Sequence, residues 1–172
     1  NDEFTVQIVH EILKKFPGKH LGKAKHYNGM RITWLNHQKS VILSQPAHVM
    51  ELADRFSHLV DLSLPRKVPI KPHLKLCRGG TSDNPNSDPL DTSVYEFRSL
   101  LGGLTYISTG TRPDIAFTVN QLSRYANAPT VAHWEVVVQC LQYLLHTMNW
   151  GICLGGGGPV SKAWFKHVKA FA

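Results

Sequence analysis

Three apolar-periodic segments stand back to back between Tyr95 and Leu154, and they constrain the fold more than any other feature of the chain. In the first, Phe97, Leu100, Leu101 and Leu104 recur at spacings of three and four, as on a helix with one buried stripe. Ser93 and Glu96, three apart just before it, predict a capping box. Gly102-Gly103 interrupts the stripe. Each glycine costs a helix about 1 kcal/mol relative to Ala, so the pair marks the close approach of another backbone. In the second segment Thr111 is expected to cap a helix, with Asp114 three residues on and Ile115, Val119, Leu122 and Ala126 facing inward. Pro129-Thr130 should stop that helix and cap the third, where Trp134, Val137, Val138, Leu141, Leu144 and Met148 repeat at three and four. Gly151 to Leu154 reads as a short strand.

The front of the chain is patterned differently. Phe4, Ile8, Ile12 and Phe16 predict a helix over Asp2–Phe16, widened by Val9 and Leu13 and ended by Pro17-Gly18. Met30, Ile32 and Trp34 alternate, as do Val41 and Leu43, with Asn36 to Lys39 as the polar turn of a β-hairpin. Ser44 can cap a following helix that has Pro46 in its first turn and Val49, Leu52, Ala53 and Phe56 on its apolar face. From 60 to 92 the prolines 65, 69, 72, 85 and 89 and an Asp/Asn/Ser-rich piece predict a linker, partly extended, with a flexible middle. The expected class is α+β: an N-terminal helix, a β-hairpin and a helix, a proline-rich linker, then a three-helix bundle. The expected boundaries are 1–59, 60–92, 93–154, and a Gly-rich joint with its tail at 155–172.

Composition narrows the function classes. The 172 residues, 42% hydrophobic and 18% charged, suit a globular chain with a core. No apolar run is long enough to span a bilayer, and the acidic start lacks the basic and apolar regions of a signal peptide. The chain opens on Asn1 rather than Met, so it is expected to be an excerpt of a longer product. Cys77, Cys140 and Cys153 are odd in number with no CxxC pair, which suggests a reduced intracellular compartment. His73 and Cys77 are four apart, but no second pair completes a zinc set, and no metal site is expected. Residues 1–78 carry thirteen Lys and Arg against six acids, while 79–160 carry three against six. The basic front fits a surface that meets a polyanion, or a solvated basic face with no partner.

Catalytic motifs are missing. No GxSxG occurs, and Gly155–Gly158 lacks the Gly-Lys-Ser/Thr of a phosphate loop. Among seven Asp and five Glu no Asp-Asp pair forms a strand turn, and Asp83, Asp88 and Asp91 fall in the linker, where Asp commonly serves turns. No catalytic residue is assigned.

The run from Tyr95 through TRPDIAFTVNQLSRY to His133-Trp134 resembles the segment that follows the polymerase active site in copia-type retrotransposon reverse transcriptases. Leu21-Gly22, Tyr27 to Ile32 and the ILSQ at 42–45 resemble the hairpin of the same family, which follows the catalytic palm strands and leads to the thumb. The resemblance implies the end of a palm, with a hairpin gripping the primer, then a thumb and connection. It implies an RNA-directed DNA polymerase using Mg²⁺ in its full length, with template–primer RNA/DNA and the rest of the Pol polyprotein as partners, in the cytoplasm or nucleus. It assigns no membrane and, without the Asp-Asp turn, no activity to these residues alone. Candidate contacts to template and primer are Tyr27, Gly29, Met30, Arg31, Arg98 and Arg124. Gly29 would admit a nucleic-acid backbone or relieve a hairpin bulge, and Asn28 stands where the family prefers an apolar residue. Arg112 is expected to pair with Asp114 rather than with phosphate, and Trp134 to pack in the core. Val160 to Ala172 departs from the family's ribonuclease H start. Two other readings remain: a basic nucleic-acid-binding module, and a decayed element without a partner.

Overall fold

In a computed structural model, residues 3–20, 22–35, 40–59 and 61–155 are described. The expected hairpin turn at 36–39 and the tail from 156 onward lie outside them. The fold is α+β. Helix α1 spans Glu3–Lys15; strands β1 (His26–Tyr27), β2 (Met30–Leu35) and β3 (Ser40–Ser44) lead to helix α2 (Pro46–Phe56). A small hairpin follows, β4 (Leu76–Cys77) and β5 (Gly80–Thr81), then helices α3 (Phe97–Gly110), α4 (Ala116–Ser123) and α5 (Val131–His146), and strand β6 (Ile152–Gly155).

The core is helical. Leu100, Leu104, Ile107, Ile115, Leu122, Val137, Leu141 and Leu144 are fully buried, with Val49, Leu52 and Phe56 of α2 packed against them. Each lies on the stripe that the spacing predicted, or one turn further along it. Trp134 is buried in this cluster beside Tyr95 and Phe56.

Three helix starts differ from expectation. The predicted capping box at Ser93 does not form, and α3 begins only at Phe97. The Glu96 carboxylate reaches across to Arg55 of α2, so it cannot fold back on Ser93. The Asp91 carboxylate instead accepts the Ser93 hydroxyl and, at 2.9 Å, the Ser93 N–H, and the hydroxyl first and then the N–H hold its pKa below the ordinary value. Thr111 closes α3 rather than opening the next helix, and a 3-10 turn, Pro113–Ile115, leads into α4. Ser44 likewise yields its capping place to Gln45, next to Pro46.

The segment expected as a linker is fastened to α5. Gln139 donates to the Val68 carbonyl at 3.2 Å, and Gln142 donates to the Asp61 carbonyl while accepting from Arg66 at 2.9 Å. Farther on, the Asp88 carbonyl and the Ser87 hydroxyl accept the first N–H groups of α5, from Val131 and Ala132, both at 2.9 Å. Four buried donors at a helix start need partners, and here the segment supplies two of them. Two glutamine side chains of α5 therefore hold the segment's backbone in place.

Strand order in the main sheet is β1-β2-β3-β6. The hairpin pairs Ile32 with Leu43 and Trp34 with Val41, and β6 adds Ile152 beside Leu43 and Leu154 beside Val41. The chain thus returns from the helical half to extend the front sheet. Gly151 permits it: a Cβ there would stand 2.0 Å from the Leu43 carbonyl oxygen.

Candidate nucleic-acid interface

The hairpin tip gathers four of the six candidate residues. Tyr27 pairs with Met30 and His26 with Arg31, leaving Asn28 and Gly29 as a two-residue turn. Both turn residues have positive φ, 46° and 73°, the pattern of a type I′ turn that matches strand twist and favours Asn-Gly. Gly29 is therefore the second turn residue, with no bulge to relieve. Asn28, the departure from the family's apolar preference, is the residue that tolerates its left-handed backbone. Tyr27 is 70% exposed, Arg31 is exposed, and Met30 is half-buried.

The stretch before the tip lies along β2. Ile32 donates its N–H to the Lys25 carbonyl at 2.8 Å, and the Trp34 indole donates to the Ala24 carbonyl at 2.6 Å. The Lys23 ammonium sits 4.9 Å from the centre of the Trp34 ring, within cation–π range. Trp34 is 43% exposed. These two residues were not among the sequence candidates. A signal for them does exist: no Asp or Glu occurs between Glu11 and Glu51, while Lys14, Lys15, Lys19, Lys23, Lys25, Arg31 and Lys39 do. A cationic stretch without acids, with aromatic side chains exposed along it, is what a single or double strand of phosphates would meet.

The arginines of the helical half divide by burial. Arg112 is 2% exposed and is held as expected, by Asp114 at 2.7 Å, with further bonds to the Thr147 carbonyl at 2.9 Å and hydroxyl at 2.6 Å. Its guanidinium lies over the rings of Tyr143 and Trp150. Tyr143 completes the set by donating to Asp114 at 2.7 Å. Burial, and then the bond and charge of Asp114, push the Tyr143 hydroxyl up to about 12. Burial and the same carboxylate push the neighbouring Cys140 thiol up to about 12. This network ties the 3-10 turn to the end of α5 and faces no solvent.

Arg98, near the start of α3, donates to the Ala126 carbonyl and to the Asn127 side chain, both at 2.9 Å. Arg124, at the end of α4, is exposed and makes one long bond to Gln121, 3.4 Å. The tip and Arg98 are not brought together: Arg98 precedes Tyr106, the α3 residue that touches the tip, by eight residues, about 12 Å along the axis.

His133 belongs to the core rather than to any interface. It is fully buried, accepts the Thr130 N–H at Nδ1 (3.1 Å) and stacks on Tyr125 at 4.5 Å. That bond places the ring hydrogen on Nε2, which has no partner among the described residues. Burial lowers its pKa, opposed by the nearby carbonyls of Cys77 and Gly80, which lie outside hydrogen-bonding geometry. Among the described residues no three His, Cys, Asp or Glu side chains converge as metal ligands, and no helix is long and apolar enough to cross a membrane.

The chain is similar to a segment of plant retrotransposon Pol polyproteins. It is 32% identical over 158 residues to the Retrovirus-related Pol polyprotein from transposon TNT 1-94 of Nicotiana tabacum, covering 90% of this chain and 11% of that protein. Against the Pol polyprotein from transposon RE2 of Arabidopsis thaliana the identity is 32% over 119 residues, 69% of this chain and 8% of the other. An uncharacterized mitochondrial protein of Arabidopsis thaliana is 27% identical over 145 residues, 84% of this chain and 55% of its own length. The chain spans about a tenth of the length of the Pol polyproteins it matches. No protein-family model matches the chain, and no solved structure matches it.

Proposed function

We propose that this chain is the template–primer grip of a copia-type reverse transcriptase, holding an RNA–DNA or DNA duplex by its backbone without reading sequence. The observation that carries the reading is the hairpin tip, where Tyr27 and Arg31 stand exposed on a pinned I′ turn within the acid-free cationic stretch. Similarity to plant retrotransposon Pol polyproteins is consistent with it, since the reverse transcriptases that the sequence resembles take template and primer as substrates. Backbone contacts of this kind set position and register and carry no sequence information. Arg31 supplies a fork of donors for a phosphate, and Tyr27 a face on which a base or sugar can rest. Arg124 is a second phosphate contact on this reading, and Arg98, engaged with the Asn127 turn, orients that loop instead.

Mg²⁺ belongs to the polymerisation step of the full-length enzyme. The described residues do not fit that ion: their carboxylates do not converge, and Asp114 is already occupied by Arg112 and Tyr143. No step of polymerisation is therefore assigned to them. Their role is to bind and orient the duplex for the rest of the Pol polyprotein.

The test is a titration of a labelled RNA–DNA hybrid with the purified chain across salt. Each phosphate neutralised contributes about −0.9 to the slope of log affinity against log salt, so the two arginine contacts cost roughly twelvefold between about 50 and 200 mM. Mixed-sequence hybrids should bind alike. Affinity that does not respond to salt would remove the reading.

A further inference from the structure

We infer that Tyr106 is a positioning residue for the hairpin tip, acting from α3 on a site 78 residues away in sequence. The inference rests on the reading of the tip as a nucleic-acid grip. Tyr106 donates its hydroxyl to the Asn28 carbonyl at 2.8 Å. That carbonyl belongs to the first turn residue, outside the β1–β2 pairing of Tyr27 with Met30. A two-residue turn projects beyond the last paired residues, and its peptide units rock unless something else holds them. The Tyr106 hydroxyl supplies that hold. Gly29 leaves room for it besides taking its backbone angle: a Cβ there would stand 3.3 Å from the Tyr106 oxygen, a tight approach.

The position of the ring is itself fixed. Gly103, Tyr106 and Gly110 fall three and seven residues apart, on one face of α3. A Cβ on Gly103 would lie 2.5 Å from the end of the Leu52 side chain, and one on Gly110 would lie 2.5 Å from the Gln45 side-chain oxygen. Helix α2 and the residue that opens it are thus drawn hard against α3 on either side of Tyr106. His48 of the same helix meets the Tyr106 ring edge-on at 5.0 Å. Thr111 completes the joint by donating to Gln45 at 2.8 Å. The two glycines let α2 close on α3, and the tyrosine between them projects to the tip. The aim of Tyr27 and Arg31 is then set by the helical half rather than by the hairpin alone.

Tyr106→Phe removes the hydroxyl and keeps the ring against His48. Two measurements test it. Amide exchange at Asn28, Gly29 and Met30 should quicken severalfold without any ligand, while the unfolding midpoint of the helical half stays in place. Hybrid affinity should fall about three- to tenfold, the range for one net hydrogen bond, with the salt slope unchanged because the phosphate contacts remain. The loss should vanish in a Tyr27→Ala, Arg31→Ala background, as expected of a residue that acts through the tip. Unchanged exchange at the tip overturns the latch. An equal loss of affinity in both backgrounds overturns the positioning role. A wild-type chain that shows no salt-dependent binding overturns the grip, and with it the positioning role, even where exchange confirms the latch.

Discussion

Helix α1 and the residue after it place Phe4, Ile8, Ile12 and Phe16 at every fourth position, and these stand 74, 43, 51 and 68% exposed. Helix α5, with a less regular stripe, buries eleven residues, among them Gln139, Gln142 and His133. Both helices are amphipathic, and the cleaner pattern belongs to the one without cover. The difference lies in what surrounds them. Helix α5 has α2, α3, α4 and the 61–92 segment packed around it, whereas the core includes no residue of α1. An apolar stripe tells which face a helix would bury; a partner must come from elsewhere in the fold or the assembly. The main sheet shares the condition of α1. One of its faces carries Met30, Ile32, Trp34, Val41, Leu43, Ile152 and Leu154, and none of them joins the helical core. Among the described residues, the chain is thus a self-sufficient helical half joined to an open front.

The largest expected effect tests that self-sufficiency. Arg112→Ala leaves Asp114 buried with only Tyr143 beside it. Breaking a buried pair by removing one partner costs about 3–5 kcal/mol, so urea unfolding should shift by that amount. The exposed Arg55–Glu96 pair offers an internal contrast: both side chains are about half exposed, and Arg55→Ala should cost at most about 1 kcal/mol. Equal losses at the two sites would mean that the helical half is not held by its buried network.

A second, smaller effect concerns the seam between the two regions. Gly151→Ala drives a Cβ to 2.0 Å from the Leu43 carbonyl oxygen, which is backbone and cannot swing away. Overpacking of this kind costs about 1–3 kcal/mol. The loss should be local: amide protection should disappear in β6 while that of α3 and α5 persists. Loss of protection in both would show that sheet and helices unfold as one unit.

The contrast also explains what could be read from the chain beforehand. The apolar faces of α2 to α5, the alternation of β2 and β3 as a hairpin and the Arg112–Asp114 pair were legible, because each follows from spacing or from adjacency within a few residues. What escaped was decided by contacts between distant residues. The capping box at Ser93 failed because Glu96 is drawn to Arg55, 41 residues away. The 61–92 segment reads as a linker by composition, yet Gln139 and Gln142 hold its carbonyls, and nothing in proline spacing announces that. At the candidate site the basic front was read, whereas the turn at Asn28-Gly29 was not, although Asn-Gly is its local signal. The Lys23–Trp34 pair was open to discovery through the absence of acids around it. Tyr106 was not, since its role depends on two glycines that bring α2 against its helix.

The smallest effect tests the comparison from its other side. Ile12→Ser in α1 removes a large apolar side chain from a position 51% exposed. In a packed core such a truncation costs about 2–5 kcal/mol; at an open surface a substitution stays within about 0.5 kcal/mol. The expected shift in global unfolding is the second figure. Helix α1 has 13 residues, close to the length below which isolated helices are marginal in water, so its amides should exchange far faster than those of α5 whichever residue stands at 12. A cost above about 2 kcal/mol, or protection in α1 equal to that in α5, would mean that the stripe has found cover in solution. The front would then be closed rather than open, and the division between the two halves would have to be redrawn.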